Sequence, residues 1–394
     1  MVSPLVFSLF LFLLSLVHAD AGSFAVKAKY NTGYAPNAAR SYLRALQKWG
    51  GDVPKGLYQV AAIKDEGSQD AIPTKHDREY LSHITFGTPA QSLLMDLDTG
   101  SSDVWVFSSE TSDDDNGNRS HYYPEQSMTA LQIPNATWEI SYGDGSAAGG
   151  NVWLDLVSIA GVEIQNATVE SATYVSEELS DDPIMSGVFG LAYNYTPKMR
   201  PVMPSVLSRL SPLLNTSLFT VDLKWHADSE YEFGFLNSSK HIEPIHFVPL
   251  MDGAKYWELS FTKFNAANSK LWYLFNWPAI VDTGTTLLLL PTYIVERYYK
   301  QVTGAYESPM GWKYPCKSEL PDFTIGFASN YTVTVPGKYI NYLAFNDSKD
   351  SCLGGIQDNG GIEFSILGDI FLKAVFAVFD IRGGQVGFAK KELN

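Results

Sequence analysis

The sequence predicts an all-β protein folded as two related lobes, and three observations carry that expectation. The chain has 394 residues, more than one hydrophobic core usually organises, so two lobes and a removable leader are expected. Its 22 Tyr, 22 Phe and 31 Gly, set against 28 Lys and Arg together, favour short strands and tight turns over long helices. The third observation is an internal repeat. Leu97-Asp98-Thr99-Gly100-Ser101 recurs as Val281-Asp282-Thr283-Gly284-Thr285, each copy following an apolar, strand-like run. Each is followed by an apolar-apolar-Gly element, Val188-Phe189-Gly190 at 92 residues and Ile366-Leu367-Gly368 at 86, counted from Asp to Gly. Half the chain is a duplicate of the other half, with one Asp in each.

The N-terminal segment reads as a secretory signal over residues 1–19. An apolar run from Leu5 to Val17 is bounded by Val17-His18-Ala19, a small-residue cleavage pattern. The run is too short to span a bilayer, and the C-terminal Lys390-Lys391-Glu392-Leu393-Asn394 lacks a lipid-anchor signal. No stable membrane anchor is expected. Eight Asn-x-Ser/Thr sequons agree with export, at Asn118, Asn135, Asn166, Asn194, Asn215, Asn237, Asn330 and Asn346. Cys316 and Cys352 are the sole cysteines. In an oxidising compartment their one possible bond would close a loop worth about 3–4 kcal/mol by the chain-entropy account. Two cysteines and scattered histidines make a metal site unexpected, and no cofactor is called for.

Charge separates the leader from the body. Split after Ile63, the first part carries +4 and the rest −19, within a total of −15. A basic leader on an acidic body docks at neutral pH and loosens as carboxylates protonate, the sign pattern of an acid-triggered precursor. Phosphates would repel such a body, so nucleic acid is excluded as a partner.

The repeated residue types suit one chemistry. Peptide hydrolysis without a metal needs one group to activate water and another to protonate the departing product. Two carboxylates held together divide those tasks, because both cannot ionise comfortably and one proton is shared. Gly at the third position lets backbone approach the carboxylate, while Thr or Ser hydroxyls donate to its oxygens. The catalytic candidates are therefore Asp98 and Asp282, supported by Thr99, Gly100, Ser101, Thr283, Gly284 and Thr285. Between them, the strand-like residues before Tyr142-Gly143-Asp144-Gly145-Ser146 and the run from Asn151 to Ile159 predict a hairpin on turn chemistry alone.

These motifs resemble the pepsin-like aspartic endopeptidases, specifically the fungal aspergillopepsin and penicillopepsin type, from about Tyr80 to Phe388. The resemblance is carried by the two Asp-Thr-Gly copies, by Ile140-Ser141-Tyr142-Gly143-Asp144-Gly145-Ser146, by Ile366-Leu367-Gly368-Asp369-Ile370-Phe371-Leu372 and by Gly387-Phe388-Ala389. It implies a bilobal fold of two related β-barrel-like lobes with the active cleft between them, and a secreted acid endopeptidase made as a zymogen, acting on proteins and peptides, blocked by pepstatin-type transition-state mimics and complete as a monomer. A vacuolar location is the rival within that class.

By the same resemblance Tyr142 caps the cleft, and Trp105 donates its indole to that tyrosine. Asp144 and Ser146 would admit Lys before the cut besides large apolar residues, while Leu179 and Val188 are pocket positions. Leu179 departs from the Phe more usual there. The expected division is signal 1–19, propeptide 20–63, N-terminal lobe 64–255 and C-terminal lobe 256–394. A helix is expected over Ala38–Trp49 in the propeptide, and Lys55 is the lysine expected to reach the catalytic pair. The alternative from another class is a non-catalytic binding or inhibitor protein on the same fold.

Overall fold

The computed structural model describes residues 22–30, 38–58, 80–141, 147–180, 183–194, 197–266, 271–328, 330–345 and 348–394. The signal segment, the 63/64 boundary, the hairpin tip at 142–146 and Asn346 lie outside them. Among the described residues, strands dominate and fall into sheets of fourteen, seven and four. No described helix is long and apolar enough to cross a membrane.

The fourteen-stranded sheet begins in the leader. β1 (Phe24–Tyr30) alternates buried Phe24, Val26 and Ala28 with exposed Ala25, Lys27 and Lys29, the period of a strand with one covered face. The helix α1 (Ala38–Trp49) has the expected bounds. It buries Ala38, Ala39, Tyr42, Leu43, Ala45 and Leu46, a helical stripe, and ends on Gly50 with φ of 73°, where a side chain would be strained.

The body continues with β2 (Tyr80–Phe86), β3 (Gln91–Asp98), β4 (Val104–Val106), β5 (Leu131–Ser141), β6 (Ala147–Ile159), β7 (Val162–Val175), β8 (Gly187–Gly190) and β9 (Met199–Arg200). Next come β10 (Leu218–Asp222), β11 (Ser229–Phe233) and β12 (His246–Pro249). In β3 the buried Leu93, Met95 and Leu97 alternate with less buried partners, fixing the register that delivers Asp98 to the strand end.

The second half supplies β13 (Glu258–Ala266), β14 (Tyr273–Val281), β15 (Leu288–Leu290), β16 (Tyr306–Ser308), β17 (Gly311–Pro315), β18 (Phe323–Phe327), β19 (Thr332–Val335) and β20 (Asn341–Phe345). It closes with β21 (Ser348–Gly354), β22 (Ile356–Asp358), β23 (Ser365–Leu367), β24 (Phe376–Asp380) and β25 (Gln385–Ala389). β13–β15, β18, β19, β22 and β23 make the seven-stranded sheet; β16, β17, β20 and β21 make the small one, and Cys316 and Cys352 are bonded beside it.

The two halves share the largest sheet, because β24 and β25 return to pair with β10 and β12. Below it, Phe219 stacks on Phe379 at 4.7 Å and both meet Trp257 edge-on. Such pairs add to what area burial contributes. The leader strand β1 sits inside this sheet, antiparallel to β11 on one side and β2 on the other.

Candidate active site

The duplicated motif becomes two matching loops. β3 pairs in parallel with β8, putting Asp98 opposite Gly190, and β14 pairs in parallel with β23, putting Val281 opposite Leu367. The apolar-apolar-Gly elements are thus partner strands of the two aspartate strands. Their glycines are required by proximity: a Cβ on Gly190 would lie 2.6 Å from the Ser101 carbonyl oxygen, and one on Gly368 2.1 Å from that of Thr285. The motif glycines do the same for the opposite carboxylate. A Cβ on Gly100 would lie 2.4 Å from Asp282 Oδ1, and one on Gly284 2.2 Å from Asp98 Oδ1. Only a residue without a side chain lets each loop approach the other's acid so closely.

Crossed hydrogen bonds lock the loops together. The Thr99 amide donates to Thr283 Oγ1 at 3.0 Å and the Thr283 amide to Thr99 Oγ1 at 3.0 Å. Each hydroxyl then donates to the opposite strand, Thr99 Oγ1 to the Val281 carbonyl at 2.9 Å and Thr283 Oγ1 to that of Leu97. The Gly100 amide donates to Asp98 Oδ1 at 2.8 Å, the Gly284 amide to Asp282 Oδ1 at 2.9 Å, and the Thr285 hydroxyl to Asp282 Oδ2. Asp98 and Asp282 are both buried, at 5% and 0% exposure, so these donors replace the water the acids have lost.

The cation between the acids is Lys48. Its Nζ lies 2.8 Å from Asp98 Oδ1 and 3.0 and 3.2 Å from the oxygens of Asp282. Lys55 does not take this place: it lies in the exposed turn after the helix. The physical reason is that α1 docks with its last turn over the dyad, and Lys48 belongs to that turn whereas Lys55 is past the Gly50-Gly51 break. Trp49 completes the seat, donating from Nε1 to Thr285 Oγ1 at 3.3 Å and meeting Tyr256 and Phe364 edge-on. The helix-forming run over Ala38–Trp49 was visible in the sequence; which lysine reached the acids was not.

The two acids are driven apart. Burial raises both, but the Lys48 charge holds Asp98 below the ordinary carboxylate range. Asp282 is pushed up to about 6 by burial, opposed by Lys48 and reinforced by the neighbouring Asp98 charge. Burial alone would lower Lys48, and the Asp282 and Asp98 charges overcome it and raise it.

Beside the dyad a cavity of about 310 Å³ opens between α1 and residues of both halves, 283–286 among them. Trp105, Leu179 and Val188 line it, as do Ile140 and Met185, which the sequence reading passed over. Trp105 is buried in an apolar cluster with Phe107 and Trp138. The expected partner of its indole, Tyr142, lies with Gly143, Asp144 and Ser146 outside the described residues. β5 and β6 do pair antiparallel as far as Ser141 and Ala147, the residues that flank the tip.

Asp103, also on the cavity, is electrostatically coupled to a second buried carboxyl, Glu170. Burial pushes Asp103 up to about 6 and Glu170 well above its ordinary value, the Asp103 charge reinforcing the latter. The pairing follows from the parallel contact of β4 with β7, which sets Trp105 opposite Glu170.

Six of the sequon asparagines, Asn118, Asn135, Asn166, Asn194, Asn215 and Asn330, are exposed. Asn135, Asn166 and Asn330 occupy the left-handed region, with φ of 61°, 52° and 59°. Asn237 is half-buried, and its Nδ2, the atom a sugar would join, donates to Glu232 Oε1 at 2.9 Å.

The sequence model of the family described as "Eukaryotic aspartyl protease" matches residues 79–391. Penicillopepsin-3 of Penicillium janthinellum is 39% identical over 356 residues, covering 90% of this chain and 88% of the relative. Aspergillopepsin-1 of Aspergillus oryzae is 38% identical over 356 residues, covering 88% and 85%. Endothiapepsin of Cryphonectria parasitica is 36% identical over 382 residues, covering 94% and 91%.

Proposed function

Because the chain belongs to the eukaryotic aspartyl protease family and is an aspartic endopeptidase, we propose that Asp98 and Asp282 are its catalytic pair, and that it is exported as a precursor inhibited by its own leader. The observation that carries this reading is Lys48 seated within hydrogen-bonding distance of both buried acids. With the leader gone, water takes the position of the ammonium group. One carboxylate removes a proton from that water as it attacks the peptide carbonyl; the other, protonated, polarises the carbonyl oxygen, and a proton then passes to the leaving nitrogen. The pair titrates jointly, so neither acid is assigned the starting proton.

Thr99, Gly100, Ser101, Thr283, Gly284 and Thr285 hold that geometry. Tyr142, Gly143, Asp144 and Ser146 form the flap over the cleft, a role supported by the pairing of β5 with β6 on either side. Leu179 and Val188, with Trp105, receive a large apolar side chain, and Asp144 adds Lys by a charge-assisted contact. Export is supported by the apolar leader, by the exposed sequons and by the disulfide, which belongs to an oxidising compartment.

The test is hydrolysis of peptides with Phe or Lys before the cut, between about pH 2.5 and 7, by wild type and Asp98→Asn, with and without a pepstatin-type mimic. Acid-optimal cleavage is expected, lowered by about 10²–10⁴-fold in the variant and abolished by the mimic. Undiminished cleavage by Asp98→Asn would remove that residue from the catalytic pair. Assaying culture medium against cells tests export, and activity confined to cells would overturn it.

A further inference from the structure

The first lobe contains a buried arginine that the hydrolytic chemistry does not use. Arg119 is 6% exposed, unusual for a side chain with five donors and a permanent charge. It follows the short helix Asp113–Asn116, whose loop is anchored by Asn116 Nδ2 donating to the carbonyls of Ser108 at 2.9 Å and Thr111 at 3.2 Å. From that base the guanidinium reaches in three directions. Its central carbon stands 3.8 Å from the centre of the Phe107 ring, Nη1 donates to the Asp115 carbonyl at 2.5 Å, and Nη2 donates to the Ser180 carbonyl at 2.7 Å.

Ser180 ends a single helical turn, Glu177–Ser180. One turn is not self-supporting, and its last carbonyls need donors from elsewhere. Arg119 supplies one. The residue immediately before Ser180 is Leu179, which lines the cavity beside the dyad and packs, with Met185 and Val188, on the cluster containing Phe107 and Trp105. Phe107 and Trp105 are themselves in contact, at 5.4 Å between rings. A continuous path of contacts therefore runs from the sheet, through Phe107 and Arg119, to the backbone that carries the cavity wall.

We propose that Arg119 is a positioning residue for substrate selection: by tying the Ser180 carbonyl to Phe107 it sets where Leu179 stands, and so how well the cavity accepts a large apolar side chain. The proposal rests on the reading of the cavity as the substrate pocket. Arginine is suited to the task because its planar group stacks on an aromatic face while donating from two nitrogens, which lysine cannot do. The hydrogen bonds of the dyad and of the threonines do not involve Arg119, so the effect of removing it falls on binding.

The experiment is steady-state kinetics of the acid-activated enzyme on peptides identical except for Ala, Leu or Phe before the cut, comparing wild type, Arg119→Ala and Arg119→Lys. In Arg119→Ala, KM for the Phe and Leu peptides should rise about five- to twentyfold, the KM for the Ala peptide should change less than about twofold, and kcat should hold within about threefold. Arg119→Lys should show the same split at smaller amplitude, and added guanidinium should restore Arg119→Ala. On a Leu179→Ala background, Arg119→Ala should add less than about twofold. A uniform fall in kcat across the three peptides, or full additivity with Leu179→Ala, would overturn the proposal. If Arg119→Ala does not fold, Arg119→Lys decides: wild-type discrimination between Phe and Ala in that variant sinks the assignment. A wild-type enzyme that cleaves but does not distinguish the peptides instead sinks the reading of the cavity.

Discussion

Lys48 stands between two acids whose protonation differs, and the difference sets the order in which the contact fails. Asp282, raised to about 6, takes up a proton first as pH falls, and its protonation relieves a buried charge. Asp98 behaves oppositely. Its value in the folded precursor is depressed, so its contact with Lys48 stabilises the docked leader above the ordinary carboxylate pKa, and that stabilisation is lost only as pH falls through the depressed value. Lys48, raised, stays charged throughout the acid range. The precursor should therefore remain closed near pH 6 and open only below the ordinary carboxylate pKa, as Asp98 takes up its proton. Lys48→Gln should move the onset of activity in the precursor upward by about one to two pH units, read from cleavage of a quenched peptide. An unchanged onset would show that the leader is held by other contacts. The two Asp-Thr-Gly copies were legible because their chemistry is local: Gly, Thr and Asp act within a few residues of one another. The lysine was not, since the choice between Lys48 and Lys55 depends on where a helix docks, which no short stretch of chain encodes.

Two N-terminal elements pack on the body, β1 and α1, and only one was legible. The run of helix-forming residues ahead of Gly50-Gly51 was enough to place a helix over Ala38–Trp49. β1 was passed over although Phe24-Ala25-Val26-Lys27-Ala28-Lys29 alternates cleanly, because a strand this short takes its meaning from the partners it finds, here β2 and β11. Val26 is buried opposite Tyr231. Val26→Asp should destabilise the precursor by about 3–5 kcal/mol, the cost of an uncompensated buried charge, seen as a lower denaturant midpoint. A midpoint equal to wild type would mean that β1 is not held in the sheet in solution.

At the scale of the whole molecule, the all-β, duplicated architecture followed from composition and repeat, whereas the sheet shared by both halves did not. β24 and β25 cross back to β10 and β12, a long-range pairing that local patterning does not reveal. The Asp103–Glu170 pair was hidden for the same reason, since the contact of β4 with β7 creates it. Its effect is global. A carboxyl raised in the folded state binds more protons there than in the unfolded chain, so stability falls as pH rises from the ordinary carboxylate pKa through about 6, the value of Asp103. The groups acting on Asp103 are the Glu170 carboxyl, the Lys198 amide and charge, and the Asp98 charge. Glu170→Gln removes one of the two ionisations, so the loss of stability between about pH 4 and 7, at most about 1.4 kcal/mol per pH unit for one proton, should become shallower. Denaturant midpoints across that range measure it, and an unaltered slope would place the pH dependence elsewhere. The position of β1 has a topological consequence as well. Its departure would leave a gap one strand wide between β2 and β11, bordered on both sides by unpaired amides and carbonyls. Maturation would then be an exchange of strands, in which a new segment must fill the gap before a neighbouring molecule does.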